Sequence, residues 1–241
     1  MMAKTDLLKG RTALVTGASR GIGAAVARRL AASGARVALL ARSKQLLGVL
    51  AREIGNGAVG LACDVRDTAT LARAIDQLRG LIGGPPDIVV NNAGAFLIAP
   101  AQDTSVDAFA DMLAVNLVAP FAVVRAILPL MKEKGGHIVT IGSIADRTTF
   151  SGNAAYAASK HGVRALHEVL REELRGSGVR VSLVSPAAVN TELWDPFDPD
   201  RQPGFTPRAN MLTADAVADA VHYVVTAPAT LNVDELRLSR S

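Results

Sequence analysis

Short β-branched, apolar runs alternate with longer stretches of helical pattern from Thr12 to Leu238. Thr12–Thr16, Arg36–Leu40, Gly60–Cys63, Asp87–Asn91, Gly136–Ile141 and Val179–Val184 read as strands, with a further short strand near Glu235–Leu238. Gly21–Ser33, Lys44–Ile54, Thr68–Leu81, Ser105–Lys134, Asn153–Arg175 and Ala214–Thr226 read as helices, the fourth with a break near Pro120. Gly34, Gly55-Asn56-Gly57 and Gly83-Gly84-Pro85-Pro86 end three of them. Such alternation implies an α/β fold: a doubly wound parallel sheet with helices on both faces. Its strands are covered on both sides, so they read as continuous apolar runs. Ligands in these folds lie at the carboxyl ends of the strands, so chemistry is expected just after strands one, two, four, five and six.

The 241 residues suit one domain spanning 1–241, with a lid-like insertion at about 191–212. Apolar residues make up 49% and charged residues 20%, a globular balance that argues against disorder. Uninterrupted apolar runs are far short of the ~20 residues that span a bilayer, so no membrane association is expected. The first ten residues carry no apolar signal core, and the single cysteine, Cys63, forbids an internal disulfide. Together these favour a cytoplasmic protein. The net charge is +4, but arginines and acids intermingle, as in Arg171-Glu172-Glu173-Leu174-Arg175, and no basic stripe for nucleic acid is visible. His137, His161, His167 and His222 show no metal-ligand spacing, so no metal is expected.

Thr16-Gly17-Ala18-Ser19-Arg20-Gly21-Ile22-Gly23 follows strand one and opens a helix. Glycines permit a tight turn and let backbone amides approach a ligand; the helix dipole then favours a phosphate. Asn91-Asn92-Ala93-Gly94 closes strand four, and its asparagines are expected to pin the strand ends beside that loop. Ser143 ends strand five. Tyr156 and Lys160 are four apart and share a helix face, so the ammonium favours the phenolate. A hydroxyl, a tuned phenol and an ammonium together can polarise a carbonyl and supply its proton.

Thr16–Gly23, Asn91–Gly94, Ser143 and Tyr156-x-x-x-Lys160, in that order and with 13 residues from Ser143 to Tyr156, resemble the short-chain dehydrogenase/reductase family. The resemblance runs from about Arg11 to Thr191. It implies a Rossmann-like fold, dimers or tetramers, and hydride transfer between a nicotinamide and an alcohol or carbonyl. It makes Tyr156 the general acid or base and gives Lys160 the nicotinamide ribose and the lowering of the Tyr156 pKa. Ser143 then holds the substrate oxygen, and Asn116 positions a water in the proton relay. By the same resemblance the cofactor touches Gly17, Ser19, Arg20, Gly21, Ile22 and Gly23, then Asp64 and Val65 at the adenine, and Asn92, Ala93 and Gly94. The segment beside the nicotinamide amide is Ser185 to Thr191, with Pro186, Ala187, Val189 and Thr191; it departs from the family at Ala187, where glycine is usual.

After strand two, Ala41 stands where NAD-binding relatives carry an acid, and Arg42 and Ser43 follow. With Arg20 in the glycine loop, this implies NADP(H). The substrate is expected to be a small carbonyl or alcohol. The alternatives are a 3-oxoacyl-carrier-protein reductase, against which stands the lack of a Gly-rich ending, and a non-catalytic nucleotide sensor. Trp194, Phe197 and Phe205, among four prolines, are expected to form a substrate lid. Phe109, Leu113, Leu117 and Phe121 recur at helical spacing and suit the family's helical interface, predicting a homodimer or homotetramer.

Overall fold

The computed structural model describes residues 6–241. Seven parallel strands form one sheet: β1 (Thr12–Thr16), β2 (Arg36–Ala41), β3 (Val59–Ala62), β4 (Ile88–Asn91), β5 (Gly136–Ile141), β6 (Val179–Pro186) and β7 (Glu235–Leu238). Their order across the sheet is β3-β2-β1-β4-β5-β6-β7. The chain winds outward from β1 through β2 to β3, returns to β4, and winds the other way. That reversal leaves a crevice between the carboxyl ends of β1 and β4, where Val15 pairs with Val90. The expected α/β, Rossmann-like doubly wound sheet is the one observed.

Helices α1 (Gly21–Ala32), α2 (Lys44–Ile54) and α7 (Ala214–Thr226) cover one face. Their Val26, Leu30, Leu47, Val217 and Val221 pack on Val15, Val37 and Val139. Helices α3 (Thr68–Ile82), α5 (Ala119–Lys134) and α6 (Ala154–Glu173) contribute to the other core, where Leu71, Ile75, Leu78, Val123, Ile127 and Met131 meet Leu14, Leu40, Val89 and Ile138. Alternate residues of each strand thus enter opposite cores, the period-two consequence of a pleated chain buried on both faces.

The long fourth helix differs from expectation. Pro120 does not break it. Instead α4 (Val106–Leu113) runs through a π-helical turn, Ala114–Val118, directly into α5. Pro120 falls at the second position of α5, just past that turn. The joined helix Val106–Lys134 reaches a mean hydropathy of 2.0 and is long and apolar enough to cross a membrane by length and composition. Reading uninterrupted runs concealed this, because Asp107, Asp111 and Arg125 punctuate it. In this fold it lies on the sheet, with Val123, Ile127 and Met131 buried.

Candidate active site

The loops at the carboxyl ends of β1 to β6 enclose a cleft of about 1720 Å³, the loop after β3 joining those expected. That exceeds the ~300–1,000 Å³ usual for one small ligand and leaves room for a dinucleotide beside a substrate. Its wall includes Gly17, Ser19, Arg20, Gly21 and Ile22 from the first loop, and Ala41, Arg42 and Ser43 after β2. Asp64, Val65, Asn92, Ala93 and Gly94 line it further along, as do Pro186, Ala187, Val189 and Thr191. Ser143, Tyr156 and Lys160 stand at the same cleft. Two expected site residues do not reach the wall, Gly23 and Asn116.

Gly23 works one layer behind. A Cβ there would lie 2.3 Å from the Gly17 carbonyl oxygen and 2.5 Å from the Asn92 amide. That close approach lets Asn92 Nδ2 donate to the carbonyls of Thr16 (2.9 Å) and Gly17 (3.3 Å). Asn92 therefore pins the loop as expected, whereas the buried Asn91 amide has no protein partner among the described residues. Gly17 has φ +65°, and a Cβ on it would meet Ala93 Cα at 2.8 Å. The loop thus presents bare backbone to whatever lies in the cleft. Four helices are N-capped by side chains, α2 by Ser43, α3 by Asp67, α4 by Ser105 and α7 by Thr213; Arg20 at the start of α1 provides no such cap. Uncapped amides at the positive end of a helix suit a phosphate, so the residues present fit a dinucleotide.

The cations nearby differ in their ties. Arg66 pairs with Asp64 (2.7 Å) and Asp111 (3.3 Å), and the Arg66 hydrogen bond holds the Asp64 carboxyl below its usual range. Arg20 and Arg42 are exposed and make no ion pair or side-chain hydrogen bond among the described residues. Ala41 is buried at the end of β2.

Ser143 leaves β5 as the N-cap of a short 3₁₀ turn, Ile144–Asp146. Its Oγ accepts from the Ala145 amide at 3.2 Å. One turn of α6 separates Tyr156 from Lys160. Lys160 Nζ lies 5.7 Å from the centroid of the Tyr156 ring and donates to the Ile141 carbonyl at 3.0 Å. Burial draws the Lys160 pKa down to about 8, opposed by the negative charge of Asp146. Burial also lifts the Tyr156 phenol above its ordinary value, while a hydrogen bond with Ser143 pulls it back. In this state desolvation, and not the neighbouring ammonium, sets the direction for Tyr156.

Asn116 sits in the π-helical turn and is fully enclosed. Its Oδ1 accepts from the Ala95 amide (2.8 Å), and its Nδ2 donates to the Ala95 carbonyl (3.0 Å) and to Ser159 Oγ (2.9 Å). Ser159 in turn donates to the Tyr156 carbonyl at 2.7 Å. Asn116 thereby fastens the loop after β4 to the helix that carries Tyr156. π-turns recur at functional sites because they redirect one side chain, here inward.

Two features escaped the sequence reading. Asp146 is wholly buried behind Ser143, accepting from Ser185 Oγ at 2.5 Å and from Arg147 Nε at 2.7 Å. Only an acid three residues beyond Ser143 hinted at it. Phe96 meets Tyr156, Trp194 and Phe197 edge to face at 4.8, 5.0 and 5.2 Å. Its sole signal was its position just past Gly94. Trp194 and Phe205, expected to belong to a lid, line the cleft.

Comparison with known proteins agrees with this geometry. The family model for the short-chain dehydrogenases matches residues 11–202. The D-threitol dehydrogenase of Mycolicibacterium smegmatis is 38% identical over 232 residues, covering 93% of this chain and 89% of that protein. A metagenomic short-chain oxidoreductase crystallised with NADP superposes with a TM-score of 0.83 at 35% identity, covering 98% of this chain and 99% of that one. A 3-ketoacyl-(acyl-carrier-protein) reductase of Brucella melitensis, crystallised with NADH, gives 0.86 at 27% identity, covering 96% and 98%. With its glycine loop, its seven-stranded parallel sheet and its Ser143, Tyr156 and Lys160 gathered at one cleft, the chain belongs to the short-chain dehydrogenase/reductase family of oxidoreductases.

Proposed function

We propose that the protein is an NADP(H)-dependent oxidoreductase acting on a carbonyl or alcohol, with Tyr156 as general acid or base. The observation that carries this reading is the meeting of Ser143, Tyr156 and Lys160 in the cleft that the glycine loop also lines. When bound, the nicotinamide supplies or accepts the hydride. The loop from Gly17 to Gly23 would hold the phosphates on backbone amides. Asp64 and Val65 would flank the adenine, and Asn92–Gly94 and Pro186–Thr191 would flank the ribose and nicotinamide. In reduction the Ser143 hydroxyl donates to the substrate oxygen, and Tyr156 gives that oxygen its proton as negative charge develops. Lys160, still cationic below about pH 8, stabilises the phenolate left behind.

The preference for NADP(H) rests on Arg20 in the glycine loop and Arg42 at the end of β2, two cations without an ion pair or side-chain hydrogen bond among the described residues, and on Ala41, which offers no acid to the ribose. A guanidinium can take a 2′-phosphate through two parallel hydrogen bonds. Arg42→Ala should weaken NADP binding by roughly 10-fold and leave NAD binding nearly unchanged. Titrating both cofactors into the wild type tests the assignment; equal affinities would show that neither arginine reads the phosphate.

The same reading extends to assembly. The joined helix Val106–Lys134 leaves Val106, Val118 and Phe121 exposed, at 83%, 45% and 49%. Apolar side chains so placed along one helix suit burial against a second copy. A mass of two or four chains by light scattering at micromolar protein is expected, and a monomer would refute it.

A further inference from the structure

We propose that the substrate end of the cleft is built for a compact aromatic carbonyl, an aryl ketone, or for the matching aryl carbinol. This deepens the oxidoreductase reading above and rests on it. The chain is poor in aromatic residues, with six Phe, two Tyr and one Trp. Five of these nine, Phe96, Phe150, Tyr156, Trp194 and Phe205, line the one cleft. Phe197 stands behind them, edge to face with Phe96 at 5.2 Å and with Trp194 at 6.3 Å. They arrive from separate parts of the chain: Phe96 follows β4, Phe150 follows β5, and the others come from α6 and the lid. Segments far apart in sequence therefore supply one apolar wall around the phenol that moves the proton.

The arrangement of the rings favours one more ring. Phe96 meets Tyr156 at an interplanar angle of 81°, and Trp194 meets Phe205 at 69° with centroids 6.0 Å apart. Edge-to-face geometry leaves ring faces and edges free to repeat the same contact with a guest. Charge is absent from the cleft wall in the two segments that flank Phe96 and Ser143. The cleft residues between Ala93 and Ile98, and between Ile141 and Tyr156, include no charged side chain. On the lid side, Glu192 Oε2 lies 3.6 Å from where a Gly21 Cβ would stand, towards the phosphate end. Arg240 gives a hydrogen bond to the Ala209 carbonyl. A polyol in this wall would lose water from several hydroxyls and find few partners.

The step balances. The C=O π bond breaks, the carbonyl carbon gains a hydride from the reduced nicotinamide, which is thereby oxidised, and the oxygen takes the Tyr156 proton.

The test uses the purified full-length chain with reduced nicotinamide and four probes: acetophenone, erythrulose, pyruvate and an acetoacetyl thioester of N-acetylcysteamine. Acetophenone should exceed each of the others in kcat/KM by about 10-fold or more. Phe205→Ala should lower the ratio of kcat/KM for acetophenone to that for acetone by about 10-fold. Preference for erythrulose, pyruvate or the thioester would overturn the inference while leaving the oxidoreductase reading intact. Should none of the probes oxidise the reduced cofactor, that reading fails on its own terms, and binding decides the inference. Trp194 is the only tryptophan in the chain, so its emission reports on the wall directly. Saturable quenching by acetophenone, absent with erythrulose, in protein holding NADP⁺ would uphold the aromatic site, and no saturable change would overturn it.

Discussion

Lys160 is buried, with only 6% of its surface exposed and, among the described residues, a single hydrogen bond, to the Ile141 carbonyl. Its pKa falls from 10.5 to about 8 because burial disfavours the charged form. Such a drop means that holding the cation costs the fold ~3 kcal/mol at neutral pH. The sign follows from proton counting. Between about pH 8 and 10.5 the unfolded chain keeps the proton that the folded chain has released. Stability therefore rises with pH across that window, and the full cost is present below it. Methionine has similar length and no charge, so Lys160→Met removes the cost and forfeits a hydrogen bond of ~1 kcal/mol. The net expectation is a gain of ~2 kcal/mol at pH 7, or a melting temperature higher by roughly 4–8 °C for a chain of this size. By pH 10.5 the advantage should vanish or reverse slightly.

Thermal unfolding of both proteins by circular dichroism, at one protein concentration and across this pH range, reads that difference. Turnover should be lost at pH 7, because the cation beside Tyr156 is gone. Such a variant would show an active site that trades stability for chemistry. A Lys160→Met protein less stable than the wild type at pH 7, or a gap independent of pH, would refute the reasoning.

Tyr156→Phe keeps the ring against Phe96 and removes the proton donor, so turnover should fall by ~10²–10⁴ with cofactor affinity almost unchanged; near-normal initial rates would remove Tyr156 from the chemistry. Asp146→Asn keeps the shape but deletes the charge that raises the pKa of both Lys160 and Tyr156. Its pH–rate profile should move to lower pH, and stability should fall by ~1.5–3 kcal/mol as charged hydrogen bonds from Ser185 and Arg147 weaken; an unmoved profile would confine Asp146 to structure.

What the sequence made legible, and what it concealed, divides along the distance between partners. Strands, helices and the glycine loop follow from local periodicity, and Tyr156 and Lys160 share a face because they are one turn apart. The π-helical turn has no such signature. It exists because Asn116 turns inward to Ala95 and Ser159, 21 and 43 residues away. Asp146 was hidden in the same way, since Ser185 lies 39 residues on. The Tyr156 pKa shows why this matters for chemistry. Spacing alone puts an ammonium beside a phenol and forecasts a phenolate. The fold adds burial, which lifts Tyr156 and lowers Lys160. As pH rises Lys160 gives up its proton first, near pH 8, while the phenol keeps its own. A protonated phenol beside a Ser143 hydroxyl can deliver a proton but cannot accept one. On the proposed reading, the site is therefore poised as a general acid at neutral pH, the form that carbonyl reduction requires, and alcohol oxidation should demand more alkaline conditions.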